Sequence, residues 1–268
     1  MKKGKIPVSA IVVGLNEARK IATSMKAISF CDEIIYVDLG STDDSLELAG
    51  LLGATVHSHE RVPSGEWINS EFASKTKHDW ILLIDPDEVV GAQLGSAVLS
   101  FFDGTVIPEK VGALRVPWLF YFKGQLLKGT PWGGGGKTKF LVAHRNRFEF
   151  RPQIHLGRGL KAGFQAHDLP TGEASQTLQH FWMDSWSQLL EKHRRYVAVE
   201  GQARFEHGQR STIREIVFAP LYQFAYAFGR AKGYRDGFRG FLLSCFWSWY
   251  QTASLVSLWK YQQRTGRP

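Results

Sequence analysis

Apolar and polar positions along the first hundred residues alternate between two periods. Val8–Val13, Glu33–Asp38 and Trp80–Ile84 are short, largely apolar runs, the pattern of strands buried in a sheet. Between them the spacing turns helical. Ile21, Met25 and Ile28 share one face of a predicted helix over Glu17–Ile28. Thr42 or Asp43 is placed to cap a second helix that runs to about Leu52 and stops at Gly53. Ala54–His57 predicts a short strand, and Trp67–Lys77 and Ala92–Phe102 predict helices. Strand–helix alternation of this kind implies an α/β fold, with a mostly parallel sheet covered by helices on both faces.

The pattern then changes. Gly112–Phe122 and Thr138–His144 predict strands, Arg145–Arg147 a turn and Gly157–Ala166 a hairpin. Pro131-Trp132-Gly133-Gly134-Gly135-Gly136 predicts a flexible loop. From Thr177 onward the chain reads as helical, with Leu189, Leu190, Tyr196 and Val197 at helical spacing in Trp186–Gln202. Ile216–Gly229 and Gly240–Trp259 carry no charge, and Arg230, Lys232, Arg235 and Arg239 lie between them. The second run approaches the ~20 residues of a bilayer span. Its serines dilute it, however, and Trp247, Trp249, Tyr250 and Trp259 favour an interface. Two aromatic amphipathic helices with a basic turn fit an element lying in a membrane surface. A pair of buried helices, a dimer face and a true span are the alternatives.

Composition narrows the class. The chain has 268 residues, enough for one large α/β domain and an appendage. Charged residues at 22% and hydrophobic residues at 44% exclude a disordered chain. Cys31 and Cys245 are the only cysteines, which excludes a disulfide framework and points to a reducing compartment. The apolar run after the basic Met1–Lys5 is short and reads as a first strand rather than a signal peptide. The net charge of +8 suits an anionic partner without choosing one. Basic and aromatic residues concentrate in the C-terminal helices, so no nucleic-acid partner is expected. The turn Gly14-Leu15-Asn16-Glu17 is acidic, which argues against a nucleotidyltransferase phosphate loop.

The chemistry gathers at strand ends. Asp85-Pro86-Asp87-Glu88 follows the apolar run Trp80–Ile84, Asp38 ends the second strand and Asn16-Glu17 follows the first. In a parallel sheet these ends share one edge, where ligands bind. Carboxylate oxygens there suit Mg²⁺ or Mn²⁺, which in turn can hold phosphates. Asp38 has two readings of equal weight: an acceptor for a base or ribose, or a cap for the turn Gly40–Asp43. Asp43 and Asp44 read as solvated first-turn residues.

VSAIVVGLNE (Val8–Glu17), EIIYVDLGSTDD (Glu33–Asp44) and DWILLIDPDE (Asp79–Glu88) closely resemble the GT-A family 2 glycosyltransferases. More narrowly they resemble the branch of lipopolysaccharide-core β-glucosyltransferases, which reads KNE, VDSGSTD and DADE at these places. Gly133-Gly134, KFLVAHR (Lys139–Arg145), Ile154-His155, His180-Phe181 and LEKHRRY (Leu190–Tyr196) are similar to further motifs of that branch. The resemblance implies a Rossmann-like GT-A domain over 1–176 and a helical, membrane-associating segment over 177–268. It implies inverting transfer of a sugar from a nucleotide diphosphate sugar to a glycan or lipid-linked acceptor, at the cytoplasmic face of the inner membrane. Val13, Asn16, Glu17, Asp38 and Asp85 would bind the nucleotide. Asp87 would bind Mg²⁺ or Mn²⁺, with His155 as a second ligand or else a hydrogen-bonded structural histidine. The chain departs from the pattern where Leu39 replaces a serine, where Gly135-Gly136-Lys137 lacks an acid, and where Leu156 replaces a glutamate after His155. The missing acids leave Glu149, Asp168 and Asp184 as candidate general bases, Glu149 first because it lies near His155.

Overall fold

The structure is a computed structural model that describes residues 4–103, 107–134, 136–152, 158–170 and 172–265. It divides into two compact units, Met1–Trp118 with Gly136–His180, and Leu119–Gly135 with Phe181–Pro268. The second unit thus takes in a segment from mid-chain that a division at 176/177 assigns to the first.

The first unit opens with the expected alternation: β1 (Ile6–Gly14), α1 (Ala18–Ala27), β2 (Cys31–Asp38), α2 (Ser45–Leu51), β3 (Thr55–Ser58), α3 (Gly65–Phe72), β4 (Trp80–Ile84), β5 (Glu88–Val90) and α4 (Ala92–Phe102). β3, β2, β1 and β4 are adjacent and parallel. Period-two alternation splits their side chains between two cores. Val8, Ala10, Val12, Ile34 and Leu82 pack against Ile21 and Met25 of α1 and Leu94 and Val98 of α4. Ile11, Ile35, Val37, Ile81 and Leu83 pack with Ile68 and Phe72 of α3. β4 is apolar throughout, the pattern of a strand covered on both faces.

Then follow β6 (Val111–Phe122), β7 (Gln125–Leu126), β8 (Thr138–His144), β9 (Phe148–Phe150), β10 (Arg158–Leu160), β11 (Gln165–Asp168) and β12 (Leu178–Met183). β6 and β12 run from the first unit into the second. The sheet continues β4-β8-β6-β12-β5 and turns antiparallel at β8. Three expectations change. Leu178–Met183 is a strand rather than the start of the helical region, since Leu178 and His180 pair with Val90 and Glu88. The hairpin is formed by β9 and β10, while β11 pairs parallel to β6. The helix expected over Trp67–Lys77 ends at Phe72.

The second unit holds α5 (Trp186–Glu206), α6 (Ile213–Ala225) and α7 (Gly237–Thr265). Trp132, Trp182, His193, Phe246 and Trp247 interlock in edge and tilted contacts. The glycine run is less free than expected. A Cβ on Gly133 would run into Leu127 and the Gly129 carbonyl, so close packing demands glycine there. No helix among the described residues is long and apolar enough to cross a membrane.

Candidate active site

The registers bring the predicted strand ends level. Gly14 pairs with Asp38, and Val12 pairs with Ile84. The turns after β1, β2 and β4 therefore leave the sheet at one edge. At the β1–β2 corner Asn16 adopts φ 58°, the left-handed region that asparagine tolerates. Its N–H donates to Ser41 Oγ at 2.9 Å, and its Oδ1 accepts from the Thr42 N–H at 2.8 Å. The Glu17 N–H donates to Ser45 Oγ at 2.7 Å. Asp43 accepts from the N–H groups of Ala18 and Ser45, each at 3.1 Å. It ties the starts of α1 and α2 together and is more than a solvated residue.

Asp38 takes the capping role, one of its two readings. It is 3% exposed. Oδ2 accepts from the Gly40 and Ser41 N–H groups at 3.0 and 2.9 Å, which caps the turn. Oδ1 is buried and has no hydrogen-bond partner among the described residues. A buried, unpaired carboxylate oxygen is costly and calls for a donor that binding would bring. Beside it, burial first and the Asp38 charge second push the Tyr36 phenol up to about 12. A Cβ on Gly14 would collide with that phenol, so the strand end is glycine by close approach. Val13 is half-buried and packs with the apolar cluster around Ile11 and Val37.

At the end of β4 the three acids of the motif separate in role. Glu88 is fully buried. Its Oε2 accepts from the Asp85 N–H at 2.9 Å and meets Lys139 Nζ in an ion pair. Burial pushes the Glu88 carboxyl up, and the Lys139 ammonium opposes that shift. Lys139 also lies 3.5 Å from Asp85 Oδ2, and the Asp85 side chain is half exposed. Asp87, 14% exposed, meets His180 Nε2 at 3.2 Å. The His180 ring stacks on Trp118 with an interplanar angle of 3°. Lys139 Nζ lies 5.3 Å from the centroid of the same indole.

Asp87 and His180 are the pair suited to a divalent cation, one oxygen and one nitrogen donor held at a buried strand edge. Among the described residues no group of three or more His, Cys, Asp or Glu is placed to hold a metal. The Asp87 carboxylate nonetheless fits Mg²⁺ or Mn²⁺, since Mg²⁺ is commonly held by one or two carboxylates with phosphates and water completing its shell. His155, the second ligand expected from the sequence, lies outside the described residues.

Glu149 does not join this group. β8 runs antiparallel to β4 with His144 opposite Trp80, so the chain beyond His144 continues from the start of β4 rather than its end. Glu149 is ion-paired with Arg151 at 2.7 Å in a cleft lined by Ser70, Ser74 and Arg145. Asp168 is held by Arg115 through two hydrogen bonds of 2.5 and 2.7 Å. The Asp184 N–H donates to Gln188 Oε1 at the start of α5. The sequence reading missed His180 and Lys139 as site residues. Both stood inside motifs it had matched, yet nothing in their spacing tied them to Asp87 and Glu88.

No protein-family model matches the chain. It is 22% identical over 275 residues to the lipopolysaccharide core biosynthesis glycosyltransferase LpsC of Rhizobium meliloti, covering 98% of this chain and 96% of that protein. It is 35% identical over 101 residues to an uncharacterized glycosyltransferase of Rickettsia felis, 35% of this chain and 34% of that one. The chain thus spans only about a third of the Rickettsia relative. Among solved structures, glucosyl-3-phosphoglycerate synthase from Mycobacterium tuberculosis with Mn²⁺ and UDP-glucose overlaps 53% of this chain and 57% of its own, at 20% identity and a TM-score of 0.37.

Proposed function

We propose that this chain is a metal-assisted GT-A glycosyltransferase that moves a sugar, with inversion, from a nucleotide diphosphate sugar to an envelope glycan or lipid-linked acceptor. Its place would be the cytoplasmic face of the inner membrane. The observation that carries the reading is the convergence of Asn16-Glu17, Asp38 and Asp85–Asp87 at the ends of three neighbouring parallel strands. Ligands of open α/β sheets bind at this edge. Similarity to LpsC over nearly the whole chain supports the same class.

In this reading the free Oδ1 of Asp38 accepts a hydrogen bond from the ribose or base, and the Asn16-Glu17 turn borders the nucleotide. Asp85, steadied by Lys139 and by its N–H bond to Glu88, supports the nucleotide from the β4 side. Asp87 and His180 would hold Mg²⁺ or Mn²⁺. Such a cation, when bound, offsets the charge that develops on the leaving diphosphate. The acceptor hydroxyl needs a base for in-line attack at the anomeric carbon. Glu149 is not retained in that role, given its pairing with Arg151 and its distance along the sheet from Asp87.

That gap favours a second reading, a nucleotide-sugar-binding protein without transfer. One assay separates the two. Purified protein is given nucleotide sugars, Mn²⁺ and envelope lipid extract, and release of nucleoside diphosphate is followed. Turnover on one donor, abolished by EDTA and reduced on the order of a hundredfold by Asp87→Ala, is the expected result. Full activity of Asp87→Ala would remove Asp87 from the metal site. Donor binding without release under any condition would favour the second reading.

A further inference from the structure

The first unit holds a cleft that the strand-end acids do not use. It lies between α3 and β9 and encloses about 400 Å³, the size of a small-ligand site. Arg145, on its wall, donates its N–H to the Asp79 carbonyl just before β4 begins. The cleft therefore stands at the far end of β4 from Asp85, a five-residue strand of about 16 Å. One side of it is aromatic. Phe148 is buried, and its ring meets that of the half-buried Phe150 at 5.3 Å.

The rest of the lining is polar and mixed in sign. Glu149 and Arg151 pair at 2.7 Å, with side chains 37% and 59% exposed. An exposed ion pair contributes about 0–1 kcal/mol, so both groups can turn to a ligand at little cost. Ser70 Oγ donates to the Phe150 carbonyl at 3.0 Å and keeps its capacity to accept. Arg145 is committed elsewhere. It donates to the Thr76 and His78 carbonyls at 2.9 and 2.6 Å and pairs with Asp79 at 2.8 Å, which stiffens the wall. Of the three cations lining the cleft, Lys161 alone lacks a carboxylate partner among the described residues; its Nζ donates to the Asn146 carbonyl at 3.1 Å.

This set narrows the occupant. A lipid chain needs an apolar lining, which Glu149, Arg151 and Lys161 deny it. A bare anion needs converging cations, and two of the three are already paired. A saccharide brings hydroxyls that both donate and accept, and C–H faces that pack on an aromatic ring. The Lys161 charge selects a saccharide that carries an acid.

We propose that this cleft is a binding site for a short acidic saccharide. Its hydroxyls meet Glu149, Arg151 and Ser70, a C–H face lies against Phe150, and its anionic group sits at Lys161. This inference stands apart from the sugar-transfer reading, because it rests on no residue of the strand-end site.

Isothermal titration calorimetry of the full chain tests it, with trigalacturonic acid, maltotriose and inorganic phosphate as probes. Trigalacturonate will bind, maltotriose will bind about tenfold more weakly, and phosphate will not bind in the same concentration range. Arg151→Ala/Lys161→Ala will weaken trigalacturonate binding about tenfold or more, as loss of charged hydrogen bonds requires. Both side chains are exposed, and far-UV circular dichroism checks that each variant folds. Arg151→Ala alone leaves the Lys161–Asn146 bond in place and will give a smaller loss in the same direction. Lys26→Ala/Lys260→Ala removes two exposed cations elsewhere and will bind like wild type. Four results would overturn the proposal: no trigalacturonate binding, phosphate binding as tightly as the saccharide, full binding by Arg151→Ala/Lys161→Ala, or an equal loss in the Lys26/Lys260 control.

Discussion

His193 is 3% exposed, in a cage of Trp132, Trp182, Phe246 and Tyr250. Its Nδ1–H donates to the Leu189 carbonyl at 2.8 Å, and burial pushes the imidazole down to about 4. The unfolded chain therefore binds a proton near pH 6.5 that the folded one refuses until about pH 4. This residue's contribution is complete above pH 6.5 and is lost as pH falls through that window. The drop amounts to about 3 kcal/mol at most, taking 1.36 kcal/mol per unit. Urea unfolding at pH 7 and pH 5 will show about 2 kcal/mol of this loss, and His193→Phe will flatten it. An equal pH slope in that variant would contradict the assignment. Asp38 is a second case of environment deciding role. Its position after an apolar strand was legible in the sequence, but the division of labour between its two oxygens was not. That division depends on how the turn Gly40–Ser41 folds back onto one oxygen and leaves the other bare.

Close approach of elements explains several glycines. On α5, a Cβ on Gly201 would lie 2.6 Å from backbone atoms of Ser257 on α7. Alanine favours a helix over glycine by about 1 kcal/mol. Overpacking against rigid backbone costs about 1–3 kcal/mol, so the overlap wins. Gly201→Ala will lower the urea midpoint, and an unchanged or raised midpoint would mean that α5 and α7 lie further apart. The helices and the parallel strands β1, β2 and β4 were readable because each declares itself locally, by period and by β-branched content. β12 was not readable. Leu178–Met183 carries aromatic residues that suit a helix or a strand, and its pairing with Glu88–Val90 decides between them. Such a pairing leaves no mark in the local sequence.

Across the whole molecule, the donor side of the proposed site was largely legible and the rest was not. Carboxylates at the ends of parallel strands declare themselves, because topology alone brings them to one edge. Lys139 reaches Glu88 from 51 positions away, and His180 reaches Asp87 from 93. Only the folded sheet, through β8 and β12, delivers them. The helical unit was legible as aromatic and basic, but which face it leaves bare depended on how α6 packs. In the proposed function the strand-end acids form a metal-dependent site for a nucleotide diphosphate sugar. The most direct measurement is the melting temperature of wild type and Asp87→Ala across a panel of nucleotide sugars, with Mn²⁺ and with EDTA. A ligand that prefers the folded state stabilises it by mass action. One donor will raise the wild-type midpoint with Mn²⁺, and the rise will vanish with EDTA and in Asp87→Ala. No rise with any donor, or an equal rise in Asp87→Ala, would contradict the account.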